Sequence, residues 1–385
     1  MNNLEIAHRR LHNQHVTRRT LETPQTLVEW LGAVQAQDYA AAKWALGLRL
    51  VGTYPFRQRR CASTTAQSVG TSGEDITDDD IEQAFTNGTI LRTHVMRPTW
   101  HFVSPADIRW LLALTAPRVR AASAYYNRKL ELDDAVFRCT NAVLANALQG
   151  GKQLTRDELA SALQQAGIAT DGEQRVTHIM MRAELDGIIC SGARRDKQFT
   201  YALLAERAPH ARMLARDEAM AELTMRYFMS HGPATIQDFV WWSGLTAADA
   251  KVGLAMVTSN LQQETINGQT YWFSSSTPPV QDPSQTAYLL PNYDEYTVGY
   301  TDRSAIFDAL HTNKLDPRGG LLTNTMVLDG QVVGTWKRSF KKNAVVIQAN
   351  PFTPLSNAET RAFAASANRF GAFLRLPVDY PWQAE

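Results

Sequence analysis

The chain has 385 residues, of which 44% are hydrophobic and 20% charged, with 16 Pro, 22 Gly and a formal net charge of +1. This is the composition of a folded globular chain of two to three domains of about 150 residues, or of more and smaller ones, and it excludes disordered and fibrous classes. No apolar run, the stretch around Trp110–Leu114 included, approaches the roughly 18–20 residues of a membrane span, and Met1–Arg10 lacks the apolar core of a signal. A cytoplasmic protein is expected.

The first segment reads as helical over Leu4–Gln14. A second helix opens at Thr23-Pro24, where a capping residue precedes a proline at the first helical position, and buries Leu27, Trp30, Leu31 and Val34 on one face. Residues 1–60 hold nine Lys or Arg against four acids, which is either a basic patch or a solvated face. The strongly acidic Glu74–Glu82 follows, and within it Thr77–Phe85 starts a helix with Thr-Asp-Asp-Asp, acids that suit a helix N-terminus. Two β-like runs, Thr89–Val95 and Thr99–Val103, are joined by Met96-Arg97-Pro98. Helix, helix, hairpin is the order of a winged helix.

That order returns twice. Thr155–Gln165, with Thr155 and Glu158 in capping-box spacing, and Gln174–Leu185 precede Ile188–Cys190 and Phe199–Leu203, which flank the basic loop Gly192–Lys197. The third copy runs through Ala219–Phe228, a break at His231-Gly232-Pro233, Thr235–Trp241, Thr246–Met256, and a hairpin of Glu264–Ile266 and Gln269–Phe273 around Asn267-Gly268. From about Ser274 prolines 278, 279 and 283 mark a linker. Strands follow at Ala287–Leu290, Thr325–Leu328, Val332–Lys337 and Ala344–Gln348, and then a helix over Asn357–Phe370. The expected fold is α+β: tandem winged helix-turn-helix modules at 1–130, 131–212 and 213–275, then a small β-barrel-like domain at 276–385.

Few residues suggest chemistry. Cys61, Cys139 and Cys190 are widely spaced and form neither a disulfide framework nor a zinc-finger pattern. His8, His12 and His15 have helical spacing, but no cysteine or carboxylate completes a metal set, so no metal is expected. No Walker loop, GxGxxG, GxSxG or HExxH is present, which argues against a nucleotide cofactor, a hydrolase elbow or a zincin. Asp294-Glu295 could be a glycosidase-like acid pair, but adjacent carboxylates diverge and a structural role is expected. Trp241-Trp242 read as core. His94 and His101, with Arg92 and Arg97 on the first wing, and Trp336-Lys337-Arg338 at a strand end, are candidates for DNA contact or for ordinary structural positions. Gln35-Ala36-Gln37 falls where the second helix ends; its two amides share a face only if the chain there is extended or irregular. They are either polar surface or a pair that positions water or holds a nucleotide.

Several strings together resemble one family. They are Ala33–Tyr39, Met96–Val103, Leu185–Cys190, His231–Thr235, Trp241–Leu245, Leu290–Tyr296 and Gly334–Arg338. In content and order they resemble the bacterial winged-helix DNA-binding family of the AlkZ and YcaQ DNA glycosylases, over nearly the whole chain. The resemblance implies a concave DNA-binding surface made by winged helices and a β-barrel-like domain, with no cofactor and no membrane partner. The family's catalytic signature is Gln, an aliphatic residue, then Gln or Asp; Gln35-Ala36-Gln37 matches the AlkZ-like branch. Known members remove bulky N7-alkylguanines, and some unhook interstrand crosslinks. The family's usual Arg-Gly-Thr-Leu-His is here Arg97-Pro98-Thr99-Trp100-His101, a stiffer turn with a larger side chain, which bears on lesion preference.

The resemblance therefore implies a monofunctional DNA repair glycosylase acting on alkylated bases in duplex DNA. Gln35 and Gln37 would be catalytic, and Arg97, His101, Lys337 and Arg338 would bind DNA. The competing readings are a non-catalytic winged-helix DNA-binding protein, such as a transcriptional regulator, and a protein-interaction scaffold built from the same modules.

Overall fold

The structure, a computed structural model, describes residues 1–52, 76–274, 286–315 and 320–380. The linker prolines, Cys61, and Arg57, Arg59 and Arg60 of the basic stretch lie outside the described residues. No helix among the described residues is long and apolar enough to cross a membrane.

The first unit begins with the helix Asn3–Asn13, whose Arg10 and Asn13 side chains donate to the Pro233 and Gly232 carbonyls at 2.9 and 2.7 Å. Thr23 caps the helix Pro24–Leu31 as expected, accepting from the Thr26 amide at 3.1 Å, and Leu27, Val28 and Leu31 are buried. The helix stops at Gly32, whose φ of 81° is open to glycine at little cost. A short extended segment, Val34–Gln35, comes next, and Asp38 then caps a helix that the sequence pattern does not reveal, Tyr39–Gly47. That helix is buried on all sides from Ala41 onward, so it carries no amphipathic period to read. Asp78–Asn87 is a helix with a Thr77–Asp80 capping box, three acids in its first turn and Gly88 ending it. The hairpin Leu91–Val95 and Arg97–Val103 turns at Met96 alone, with φ 64°. The expected turn over Met96-Arg97-Pro98 is thus shorter, because a register shift between His94 and Val95 takes Pro98 into the strand as part of a bulge.

One topology recurs. In the first unit Val34–Gln35 pairs with the second hairpin strand, giving a sheet in which that strand is central. In the second unit the helix Asp134–Leu148 leads to Leu154–Thr155, the helices Arg156–Gln165 and Glu173–Leu185, and the strands Ile189–Ser191 and Thr200–Leu203. Leu154–Thr155 again pairs with the second hairpin strand. In the third, the helices Arg216–Ser230, Ile236–Ser243 and Ala247–Val257 precede the hairpin Leu261–Ile266 and Gln269–Ser274, and a lone bridge from Ala234 to Trp272 stands where the short strand stood. The 22-residue helix Ile108–Lys129, also absent from the sequence expectations, connects the first unit to the second.

The C-terminal part is a five-stranded sheet in the order Val378–Asp379, Ala344–Pro351, Gln331–Lys341, Thr325–Leu328, Ala287–Leu290, antiparallel except for its first pair. Its end strands do not pair with each other among the described residues, so the expected barrel-like closure is only half made. The helix Asn357–Leu374 packs on the sheet and continues its core into the first unit, where the Trp44 indole donates to the Leu289 carbonyl at 2.8 Å and its ring meets Phe370 at 5.0 Å. A second core joins Leu91, Val103 and Trp110 to Leu223, Phe239 and Trp242 of the third unit. The Val34–Gln35 segment is thereby held between two large cores.

Candidate active site

Gln35 and Gln37 lie on an extended edge. Val34 pairs with Phe102 and Gln35 with His101, and the Ala36 amide donates to the Trp100 carbonyl at 2.7 Å. Side chains alternate along the Val34–Gln35 strand, so Gln35 turns away from Val34, which with Ala36 is essentially unexposed and fills the core, and Gln37 follows at a bend just past the strand. The two glutamines then differ. Gln35 is 8% exposed and Gln37 lies at the surface.

Gln35 is tethered at two points. Its amide oxygen accepts from Arg97 Nη2 at 3.3 Å, and its backbone N–H donates to Glu295 Oε1 at 2.9 Å. Glu295 Oε2 accepts from the Trp242 indole at 2.9 Å and lies 3.3 Å from His231 Nε2. Burial raises the Glu295 carboxyl, but the His231 hydrogen bond and charge, the Gln35 N–H and the Arg97 cation outweigh it and hold the group at about 2. A fixed negative charge therefore sits behind the motif. Gln37 Oε1 accepts from the Trp100 backbone N–H at 3.4 Å, a long contact that leaves a carbonyl lone pair and the NH₂ group for other partners. Asp38 ends the segment, capping the Ala41 amide at 3.0 Å and accepting from Asn292 Nδ2 at 3.3 Å.

Arg97 and His101 follow the same alternation on the paired strand. Arg97 also lies 5.9 Å from the Trp241 ring, and burial lowers its pKa. His101 is 1% exposed; burial and then the Arg97 charge push it down to about 3, so its ring is neutral. Its Nδ1 lies 3.0 Å from the Thr99 carbonyl and must donate there, which makes the buried Nε2 an acceptor. The wing histidine expected to contact DNA is thus an interior residue opposite Gln35.

The sequence profile of the family described as DNA glycosylase AlkZ-like matches residues 62–373. The chain belongs to this AlkZ-like DNA glycosylase family. It is 24% identical over 398 residues to a Streptomyces sahachiroi protein named interstrand DNA cross-link repair glycosylase, with 96% of each covered. Its fold matches that of the solved Streptomyces sahachiroi DNA glycosylase AlkZ with a TM-score of 0.76 at 20% identity, over 99% of both chains. Gln35 and Gln37 precede the stretch matched by the family profile.

Other candidates of this AlkZ-like glycosylase fall elsewhere. Lys337 and Arg338 lie on the Gln331–Lys341 strand; Lys337 is exposed and Arg338 packs its guanidinium 5.7 Å from the Phe370 ring. No hydrogen bond or ion pair joins either to the glutamines among the described residues. His8 contacts the Asp329 carbonyl and His15 the Arg18 carbonyl, so the histidine row diverges. Asp294 and Glu295 are both buried and diverge, as expected of adjacent carboxylates: Asp294 forms a two-pronged pair with Arg49 at 2.6 and 2.8 Å. The two tryptophans split, Trp242 in the core and Trp241 42% exposed at the rim beside Arg97 and Arg303.

Glu295, Trp242 and His231 support the motif's backbone, a role that the sequence does not assign to them. Each belongs to a string that carries the family resemblance, but their meeting is a tertiary event. Arg92, legible in sequence only as a wing residue, donates from Nε to the Ala36 carbonyl at 3.0 Å and braces the motif from the other side.

Proposed function

We propose that this AlkZ-like glycosylase is monofunctional and hydrolyses the N-glycosidic bond of N7-alkylated guanine in duplex DNA, with Gln37 and Gln35 as the residues that act. The observation that carries this reading is that both amides are held against the second hairpin strand, Gln35 by Arg97 and Gln37 by the Trp100 N–H, with only Gln37 at the surface.

An N7-alkylated guanine is already cationic and leaves without much acid assistance. What remains is to stabilise positive charge developing at C1′ and to place water against it. A carbonyl oxygen such as Gln37 Oε1 supplies both: it accepts from water and sets a partial negative charge beside the cation. Gln35, tethered by Arg97 and by Glu295 beneath it, orients the water or the DNA backbone, and the buried Glu295 charge adds to a field that favours a cation. Neutral amides are weak bases, so undamaged bases are left alone. Lyase chemistry needs a free amine at C1′, and Lys43, the lysine that follows the motif, is paired with Asp78 and Glu82 at 2.7 and 2.8 Å.

The recurring order of short strand, two helices and hairpin supports reading the three units as winged helices, in domains 1–130, 131–212 and 213–275, ahead of a half-barrel domain at 276–385. Winged helices bind duplex DNA chiefly through phosphate contacts and a recognition helix. Exposed Lys337, with Arg338 and Arg97, is suited to phosphates, and a crosslinked duplex is the second substrate to try, given the relative's name.

The test is base release from duplex DNA carrying one N7-methylguanine, scored as abasic sites after alkali. Gln37→Ala should abolish release and leave duplex binding nearly intact. Binding without release by the unaltered protein would favour the non-catalytic DNA-binding reading, and equal loss of binding and release in the variant would make Gln37 structural.

A further inference from the structure

The face of the first sheet that carries Gln35 holds a row of polar groups among the apolar Leu91, Val95 and Val103. Gln35 stands opposite His101, and His101 opposite Thr93, across the three neighbouring strands. The row is unevenly spaced. The Ala36 amide bonds the Trp100 carbonyl and the Gln35 N–H turns away to Glu295, so Gln35 and His101 form a non-hydrogen-bonded pair, with Cα atoms about 4.5 Å apart and side chains close. By the same alternation His101 and Thr93 form the wider, hydrogen-bonded kind, at about 5.5 Å. His101 Nδ1 donates to the Thr99 carbonyl at 3.0 Å, which leaves Nε2 an acceptor, fully buried and without a hydrogen-bond partner among the described residues. A buried acceptor left in that state is costly. Burial and the Arg97 charge keep the ring neutral, so the lone pair is free to accept. Gln35 holds the complementary group: its Oε1 accepts from Arg97 Nη2 at 3.3 Å, and its NH₂ is engaged by no other described residue.

We infer that His101 is a positioning residue of base excision: its Nε2 accepts from the Gln35 NH₂, directly or across one water, and with Arg97 on Oε1 it fixes which edge of the amide meets the substrate, an assignment that rests on the glycosylase function proposed above. With oxygen toward Arg97 and one N–H toward His101, the second N–H is left for the site. Gln35 thus offers a donor and Gln37 a carbonyl acceptor. A water between them accepts from Gln35 on one lone pair, donates to Gln37 Oε1, and keeps its second lone pair for C1′. A neutral imidazole suits this place, because a protonated one would turn Nε2 into a donor facing the NH₂ and add a cation beside Arg97. The Thr93 hydroxyl, also unpartnered, is the competing donor to Nε2, but it stands across the wider pair and on a shorter side chain.

Two substitutions separate the lone pair from the rest of the ring. His101→Asn keeps an N–H for the Thr99 carbonyl and loses the acceptor at the ε position, whereas His101→Gln brings an amide oxygen there. Single-turnover release of N7-methylguanine from duplex DNA should slow about tenfold in His101→Asn, the scale of one hydrogen bond, with the duplex Kd unchanged, and His101→Gln should recover most of the rate. An unchanged rate in His101→Asn, equal slowing in the two variants, or slowing matched by lost duplex binding refutes the assignment. A second readout needs no activity. The NMR signal of the Gln35 side-chain NH₂, identified by its absence in Gln35→Met, should move in His101→Asn and hold in Thr93→Val; a signal indifferent to His101→Asn overturns the positioning role. Thermal melting identifies misfolded variants. If both His101 variants misfold, the unaltered protein decides: NH₂ protons held by His101 exchange slowly with solvent, and exchange at the rate of a free glutamine amide refutes the contact. Failure of the unaltered protein to release the base overturns the proposed function and the role in excision with it, whereas an NH₂ signal that ignores His101 leaves the glycosylase reading standing.

Discussion

Replacing Glu295 by Gln probes the support beneath the motif. The carboxylate accepts from the Gln35 N–H and the Trp242 indole, each at 2.9 Å, and faces His231 Nε2 at 3.3 Å, all without solvent. An amide has one oxygen, so one end must present NH₂ to a donor. The less costly orientation keeps oxygen toward Gln35 and turns NH₂ toward His231, whose Nε2 can accept if Nδ1 donates to Ser230 Oγ at 2.8 Å. The Trp242 indole is then left unpaired, at about 1–3 kcal/mol, and the remaining bond loses its charge assistance, for a total of about 2–4 kcal/mol. The effect has a pH signature. The carboxyl titrates at about 2 in the fold against 4.5 when unfolded, so its contribution is fully present above pH 4.5 and lost as pH falls through 2. With about 1.36 kcal/mol for each pH unit separating the two titrations, that contribution is about 3 kcal/mol at pH 7 and roughly 1 kcal/mol at pH 3. Urea unfolding of both proteins at pH 7 and at pH 3, followed by tryptophan fluorescence, measures the difference. Equal stability at pH 7, or a gap that does not narrow at pH 3, would refute the reasoning.

Three further outcomes are expected. Gly244→Ala should cost about 2–5 kcal/mol in chemical denaturation, because the residue has φ 70° and a Cβ there would stand 2.2 Å from the Met96 carbonyl of the hairpin turn; a loss below about 1 kcal/mol would mean that the turn yields freely. His101 should remain neutral, its imidazole NMR signals unmoved between pH 5 and pH 8, and a midpoint near the ordinary histidine value of 6.5 would contradict its burial beside Arg97. Lys337→Ala should weaken duplex binding about equally for all sequences and reduce the slope of log K against log salt by about 0.9, whereas an unaltered slope would remove Lys337 from the phosphate contacts.

Local chemistry made much of this fold legible from the letters. Thr23 before Pro24, the acids opening the helix after Thr77, the Thr155 capping box and Asn267-Gly268 all act through residues within four positions, and each delivers the helix start or turn expected of it. The recurrence of helices and hairpin was readable for the same reason. Helices without a solvent face were not: Tyr39–Gly47 is enclosed by two parts of the chain and shows no periodicity. Gln35-Ala36-Gln37 stands out as a string, but only pairing with the strand that carries His101 sets Gln35 against Arg97 and Gln37 against the Trp100 N–H. Burial of Gln35 and exposure of Gln37 follow from packing around them. Glu295, 260 residues away in sequence, reaches the Gln35 amide because the third unit and the C-terminal sheet close on the first. Side chains and turns are fixed by neighbours in the chain; which of them meet around the glutamines is fixed by contacts that exist only once the cores have formed.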